Sequence, residues 1–231
     1  NNIPNYERRK EPLKYQLPLS PEDSIKYTQV PIDFRMELFA SEPDIINPIY
    51  MTWDERGRLW VVETVDYPNE FKDKRKGNDR IKICEDTNGD GKADKFTVFA
   101  EGFNIPTSIT FARGGIILAH APEFYFLKDT NGDDKADIRE VLFSGWGVGD
   151  THAGPSNLRY GFDNWIYGTV GYARFNGSLG GKQHNFGMGV FRFKSDASDI
   201  EFLHQFNNNT WGLGFNTAGD IFGSTANNNL T

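Results

Sequence analysis

Cysteine is nearly missing from this chain. Its 231 residues include one, Cys84, so no disulfide can form within it, and thiol pairing says nothing of its redox compartment. In its apolar strand-like setting the thiol reads as buried and inert. No apolar run approaches the length of a membrane span, which excludes a transmembrane helix. No secretory leader is visible, and a secreted protein would already have lost one. Positive charge is short too: 25 Lys and Arg stand against 32 Asp and Glu, for a net charge of −7. Phosphate backbones need clustered cations, so this balance argues against a nucleic-acid scaffold. The one basic run, Lys72-Asp-Lys-Arg-Lys76, is short and interrupted and reads as a solvated loop.

What is present favours strands. Charged residues make up 25%, which argues against bulk disorder, and the length allows one large domain or two small ones with an ample core. Aromatics reach 14% beside 24 glycines, the composition of many short strands and tight turns. A nine-residue phrase then occurs twice. Asp86-Thr-Asn-Gly-Asp-Gly-Lys-Ala-Asp94 returns 43 residues later as Asp129-Thr-Asn-Gly-Asp-Asp-Lys-Ala-Asp137, changed only at Gly91, which becomes Asp134. That period is typical of a four-stranded propeller blade. Strand-like runs flank both copies, so each reads as the tip of a β-hairpin.

Four further hairpins recur, turning at Gly57, Gly114, Asn164 and Gly219, with spacings of 57, 50 and 55 residues. Gly and Asn supply the positive φ that such turns need. Each interval has room for two more strands, and in the first two intervals the outer pair carries an Asp-rich tip. The expected fold is all-β, a β-propeller of four-stranded blades, with about three and a half blades in this chain and six in a longer protein. Residues 1–33 read as an N-terminal extension with a short helix started by Ser20-Pro21, and residues 34–231 as the propeller, stopping within its fourth blade. Phe34–Phe39 alternates and reads as a strand that completes the last blade.

The tips place Asp86, Asn88, Asp90, the Lys92 carbonyl and Asp94 on one side of a bend, as in the first part of a calcium loop, without the closing Glu. Asp129, Asn131, Asp133, Lys135 and Asp137 repeat the set. The expectation is calcium stiffening the rim. The other reading is a solvated Asn-Gly hairpin that binds nothing. In a propeller, connections between blades face the hub, where ligands bind. Asp150-Thr-His-Ala-Gly-Pro-Ser-Asn-Leu158 puts His152 there, as a candidate general base. Equivalent connections offer Asn104, Thr107 and Asn207–Thr210. Loops after each second strand offer Glu63, Asp66 and Tyr67, then Tyr172 and Arg174, then Ser224, Thr225 and Asn227. His184 and His204 lack comparable polar company and read as surface or strand residues.

His152, followed by Asn157-Leu-Arg-Tyr-Gly-Phe-Asp-Asn-Trp-Ile-Tyr-Gly168, resembles the segment of pyrroloquinoline-quinone (PQQ) sugar dehydrogenases that carries their catalytic histidine. From about Ser20 to Thr231 the chain resembles the membrane-bound dehydrogenase propellers of Planctomycetes and Bacteroidetes, relatives of glucose/sorbosone dehydrogenase. The shared features are Trp60-Val-Val-Glu63 with Asp66-Tyr-Pro68, both tips, Asn208-Asn-Thr-Trp-Gly-Leu-Gly-Phe215 and Gly223-Ser-Thr-Ala-Asn227. Such relatives often continue into helical repeats and a cytochrome c domain.

The resemblance implies an extracytoplasmic quinoprotein (periplasmic, outer-membrane-associated or at the cell surface) that oxidises a sugar or related alcohol. His152 would be the base, PQQ and calcium the cofactors, and a cytochrome c domain or other envelope protein a partner. Asn208 and Asn209 match an Arg-Asn pair at the quinone, with Asn208 replacing the Arg. Ser224, Thr225 and Asn227 fall where the cofactor calcium binds. Glu63, Asp66, Tyr67, Asn104, Thr107 and Arg174 would then meet substrate. The alternatives are a non-catalytic, calcium-stabilised propeller that binds a glycan or protein at the cell surface, and a purely structural module of an envelope assembly.

Overall fold

The computed structural model describes residues 17–69, 71 and 76–226. The Ser20 start is realised: helix α1 (Pro21–Lys26) has the Ser20 hydroxyl accepting the Asp23 N–H and Pro21 in its first turn. It buries no residue.

Sheet 1 comprises β1 (Pro48–Trp53), β2 (Leu59–Glu63), β3 (Asp79–Glu85) and β4 (Lys95–Phe103), antiparallel and in chain order. Sheet 2 repeats that order with β5 (Pro106–Ala112), β6 (Gly115–His120), β7 (Glu123–Lys128) and β8 (Ile138–Ser144). Sheet 3 holds β9 (Pro155–Tyr160) and β10 (Ile166–Val170), then β13 (Gly189–Phe193) and β14 (Ile200–Gln205). Between its second and third strands the chain inserts a separate hairpin, β11 (Phe175–Leu179) and β12 (Lys182–Phe186). β15 (Thr210–Phe215) pairs with β16 (Ile221–Thr225) as a two-stranded sheet 4.

The first strands follow one another, β1 beside β5, β5 beside β9, and β9 and β10 beside β15. This is the β-propeller arrangement, with both Asp-rich tips at the outer hairpins β3–β4 and β7–β8. Among the described residues no helix is long and apolar enough to cross a membrane.

The faces between sheets are apolar because the strands alternate. Trp60, Val62, Ile81, Ile83, Phe99 and Phe103 of sheet 1 meet Ile109, Ile116, Leu118 and Leu127 of sheet 2. Between sheets 2 and 3 the filling is aromatic. Trp146 is 2% exposed and lies 5.0 Å from Phe124, 4.7 Å from Phe175 and 4.6 Å from Phe191, ring centre to ring centre. Each such pair contributes about 0.5–1.5 kcal/mol beyond burial. The inserted hairpin docks against this cluster: Trp146 bridges to Phe175, and Asn176 N–H donates to the Gly145 carbonyl.

Phe34–Phe39 forms no strand, which corrects the reading from its alternation. The reason is visible in the repeat. Ala136 N–H in the second tip donates to the Phe99 carbonyl in β4, and Ala93 N–H in the first tip donates to the Phe39 carbonyl. The segment therefore sits beside sheet 1 as β4 sits beside sheet 2. Among the described residues it has no neighbouring strand to complete a ladder, and Phe34 stays 71% exposed.

Candidate functional site

Loops from three sheets and the start of a fourth converge at one end of the hub. They enclose a small cleft of ≈ 100 Å³, walled by Thr64, Tyr67, Thr107, Thr151, His152 and Trp211 over Ile49 and Ile105. The loop bearing His152 is pinned on both sides. Thr151 Oγ1 donates to the Pro68 carbonyl (3.2 Å), and the Ala153 carbonyl accepts from Gly171 and Ala173 N–H (3.1 and 3.2 Å). His152 N–H donates to Asp150 Oδ1 at 2.8 Å, which folds that carboxylate back under the ring. The ring's Nδ1 then lies 3.5 Å from Asp150 Oδ1 and 3.1 Å from Thr151 Oγ1. Tyr67 meets the imidazole edge-on at 5.1 Å. With Nδ1 turned to the carboxylate and hydroxyl, Nε2 is the nitrogen left for a ligand. The side chain is 59% exposed.

Beneath the cleft a buried polar network fixes the loops. Asp79 accepts from Thr64 Oγ1, Asp66 N–H and Ile105 N–H (3.2, 2.9 and 2.6 Å). Asp66 accepts from Asn78 N–H and from the amides of Asn78 and Asn104. Burial pushes the Asp79 carboxyl up, further than the N–H groups of Asp66 and Ile105 bring it down. Gly77 is forced by the same network, since a Cβ there would meet Asp66 Oδ2 at 2.0 Å.

The expected contact residues therefore divide. His152, Tyr67 and Thr107 line the cleft. Glu63, Asp66 and Asn104 lie below it rather than on it, because their polar atoms serve the framework. Glu63 is fully buried, with Arg80 Nε at 2.6 Å and Lys82 Nζ at 3.1 Å. Arg174 lies apart: its carbonyl accepts from Gly147 N–H, and its side chain is not in the cleft wall.

Asn208 Oδ1 accepts from the Tyr172 hydroxyl (2.7 Å) and from Asn209 N–H, while Asn209 Oδ1 is buried against Gly171. Ser224 pairs with Gly212 in the sheet, and Thr225 is buried opposite Thr210. None of these four lines the cleft. Asn227 is outside the described residues. Trp211 is a wall the sequence reading missed. Its signal was its place directly after the hub-facing Asn207–Thr210.

A PQQ-type quinone carries three carboxylates. Among the described residues the cleft walls hold no Lys or Arg, and ≈ 100 Å³ is below the roughly 300 Å³ at which small-molecule sites begin. The residues of this cleft do not fit that cofactor.

At the first tip Asp86 accepts N–H groups from Gly89, Asp90 and Gly91 (2.7, 3.2 and 2.8 Å), and these hold its carboxyl below the usual range. Asn88 accepts from Asp90 N–H, Asp90 from Lys92 N–H, and Asp94 from Thr87. Asp129, Asn131, Asp133 and Asp137 repeat those bonds in the second tip, where the carbonyl corresponding to Lys92 belongs to Lys135. Each tip thus closes on its own hydrogen bonds. Among the described residues no three of His, Cys, Asp or Glu converge on a metal position. The donors are oxygens with further lone pairs, which suits a hard cation in kind. Glu140, at the closing position of the second tip, lies in β8 opposite Phe126.

No curated protein matches the chain. Among solved structures it is similar to an iodide-containing structure of a Trichoderma reesei carbohydrate-active enzyme of family AA12. That match has 13% identity and a TM-score of 0.43 over 59% of this chain and 32% of that one. It is also similar to a Thermus thermophilus protein described as an oxidoreductase (glucose dehydrogenase), at 19% identity and a TM-score of 0.38 over 54% and 39%. The matched part thus spans 32% and 39% of those proteins, and such distant likeness carries no ligand or reaction to this chain. One family covers nearly the whole sequence, matching residues 20–231, and the chain belongs to it: the domain of unknown function DUF7133.

Proposed function

We propose that the hub-end cleft binds a sugar-like ligand by one edge, with His152 Nε2 accepting a ligand hydroxyl. The supporting observation is the Asp150–His152 pair, which leaves Nε2 for a ligand in the cleft that Tyr67 and Trp211 also line. Aromatic faces cover the C–H side of a sugar ring, and the hydroxyl oxygens of Thr64, Thr107 and Thr151, whose protons go to Asp79, Pro155 and Pro68, keep lone pairs that can accept from its O–H groups. The ≈ 100 Å³ volume suits part of a ring rather than a whole cofactor. Saturation-transfer NMR with glucose and related neutral sugars tests this. Transfer is expected in the wild type and is lost in Trp211→Ala and His152→Ala. Equal signals in all three proteins would overturn the reading.

A second reading, oxidation of the bound hydroxyl, is favoured by the same pair, because an imidazole backed by a carboxylate can take the hydroxyl proton. In that reading the protein works outside the cytoplasm. The carbon-bound hydrogen of the alcohol leaves as hydride to a two-electron acceptor that enters from solution, and the electrons pass on to a cytochrome c domain or another envelope protein. Reduction of a two-electron acceptor dye by the protein with sugar, abolished in His152→Ala, would establish it. Sugar binding without dye reduction leaves the first reading alone. For the first tip we propose calcium at Asp86, Asn88, Asp90, the Lys92 carbonyl and Asp94. Support comes from its oxygen-only donors and glycine bend. Calcium then raises Tm over an EDTA-treated control, and Asp90→Ala removes the rise. An unchanged Tm would discard the proposal.

A further inference from the structure

The two tips differ at one residue, at a backbone position that is left-handed in both: φ is +87° at Gly91 and +63° at Asp134. Glycine takes this conformation freely, whereas aspartate takes it at a cost. Nothing lies within 4 Å of where a Cβ at Gly91 would point. The Asp134 side chain, by contrast, crosses from sheet 2 to sheet 1. Its Oδ1 is 2.8 Å from Arg58 Nη1, and its Oδ2 is 3.8 Å from Lys95 Nζ.

Arg58 rises from the β1–β2 turn with only 9% of its side chain exposed. Its Nε is held at 2.8 Å by Asp54 Oδ2, which also accepts the Trp60 indole N–H at 3.0 Å. Beside these groups the sheets are bridged by the Ala136–Phe99 hydrogen bond. The contacts border a hollow of ≈ 500 Å³ between the two sheets, lined by Trp60, Phe99, Phe111 and Ile116.

We infer that the second tip is a clasp joining sheets 1 and 2, in which the Arg58 guanidinium is the cation that neutralises the acidic turn. A fixed cation 2.8 Å from Asp134 opposes a metal ion in the same turn. The single departure from the repeat is what reaches the arginine. The inference does not depend on calcium at the first tip.

Thermal melts of four variants test it. Asp134→Asn keeps a residue tolerant of the left-handed backbone and removes the charge, and it lowers Tm by about 3–6 °C. Asp134→Gly restores the repeat and relieves the backbone, and still lowers Tm. In an Arg58→Met background Asp134→Asn has less than half its wild-type effect. A Tm for Asp134→Gly at or above wild type, or full additivity with Arg58→Met, would sink the clasp. Should Arg58→Met not fold, amide exchange at Ala136 decides, being faster in Asp134→Asn if the clasp holds and unchanged if it does not. A calcium titration in which Asp129→Asn loses a bound equivalent would also overturn it.

Discussion

Glu63 is buried between Arg80 and Lys82, and losing both cations would strand its charge inside sheet 1. Polar residues at the hub end of a strand either meet a ligand or hold the loops that do. Glu63, Asp66 and Asn104 do the second, and residue type alone does not separate the two roles. Cys84 shows burial acting on a single group. It is fully buried, its thiol is pushed up to about 11 by burial, and it packs with Leu59, Val61 and Ile45. Thiolate is the reactive form, so a thiol reagent at pH 8 should label native protein at least about 100-fold more slowly than urea-unfolded protein. Comparable rates in the two states would mean that the outer face of sheet 1 opens to solvent.

The inserted β11–β12 hairpin turns at Gly180 and Gly181, with φ of +56° and +75°. Both positions strain an L-residue, but their surroundings differ. A Cβ at Gly181 meets nothing within 4 Å, while one at Gly180 would meet the Ser198 carbonyl at 2.2 Å. Gly181→Ala should therefore cost about 1 kcal/mol and Gly180→Ala about 2–3 kcal/mol in chemical denaturation. Equal costs would show that the 198 loop yields freely. That Gly-Gly pair between Phe175 and Phe186 was a legible hairpin signal, hidden by a regular count of four strands per interval. The inner hairpins and both tips were legible because glycine or asparagine turns fall between alternating apolar runs. Phe34–Phe39 alternates as well, yet a ladder needs a neighbour that the pattern of one segment does not specify. The place of His152 in the cleft wall was legible from its connection between blades, whereas Trp211, although it follows the hub-facing Asn207–Thr210, reads equally well as core.

Across the whole molecule, titration pulls in two directions. Burial alone would raise Asp54, but hydrogen bonds from the Trp60 indole and from the Arg58 N–H and guanidinium hold it below 3.8. Asp163 is depressed in the same way against its own burial, by the Tyr167 hydroxyl, Trp165 N–H and Arg192. A carboxyl lowered by folding stabilises above its unfolded value, and that contribution is lost as pH falls through its folded value. Asp79 has the opposite sign. Its folded value lies above 3.8, so its ionised form weakens the fold at neutral pH, and proton uptake on acidification relieves that burden before pH 3.8 is reached. The two effects occupy different windows. Tm should hold or climb slightly between pH 7 and about 4, then fall steeply below about 3.8 as Asp54 and Asp163 protonate and their partners are left buried. Asp54→Asn should lower Tm at pH 7 and flatten the acid limb, because the group that titrates there has gone. A Tm that declines steadily from pH 7 to 5 would place the controlling group elsewhere, and neither the hydrogen bonds on Asp54 nor the burial of Asp79 could then govern the acid response.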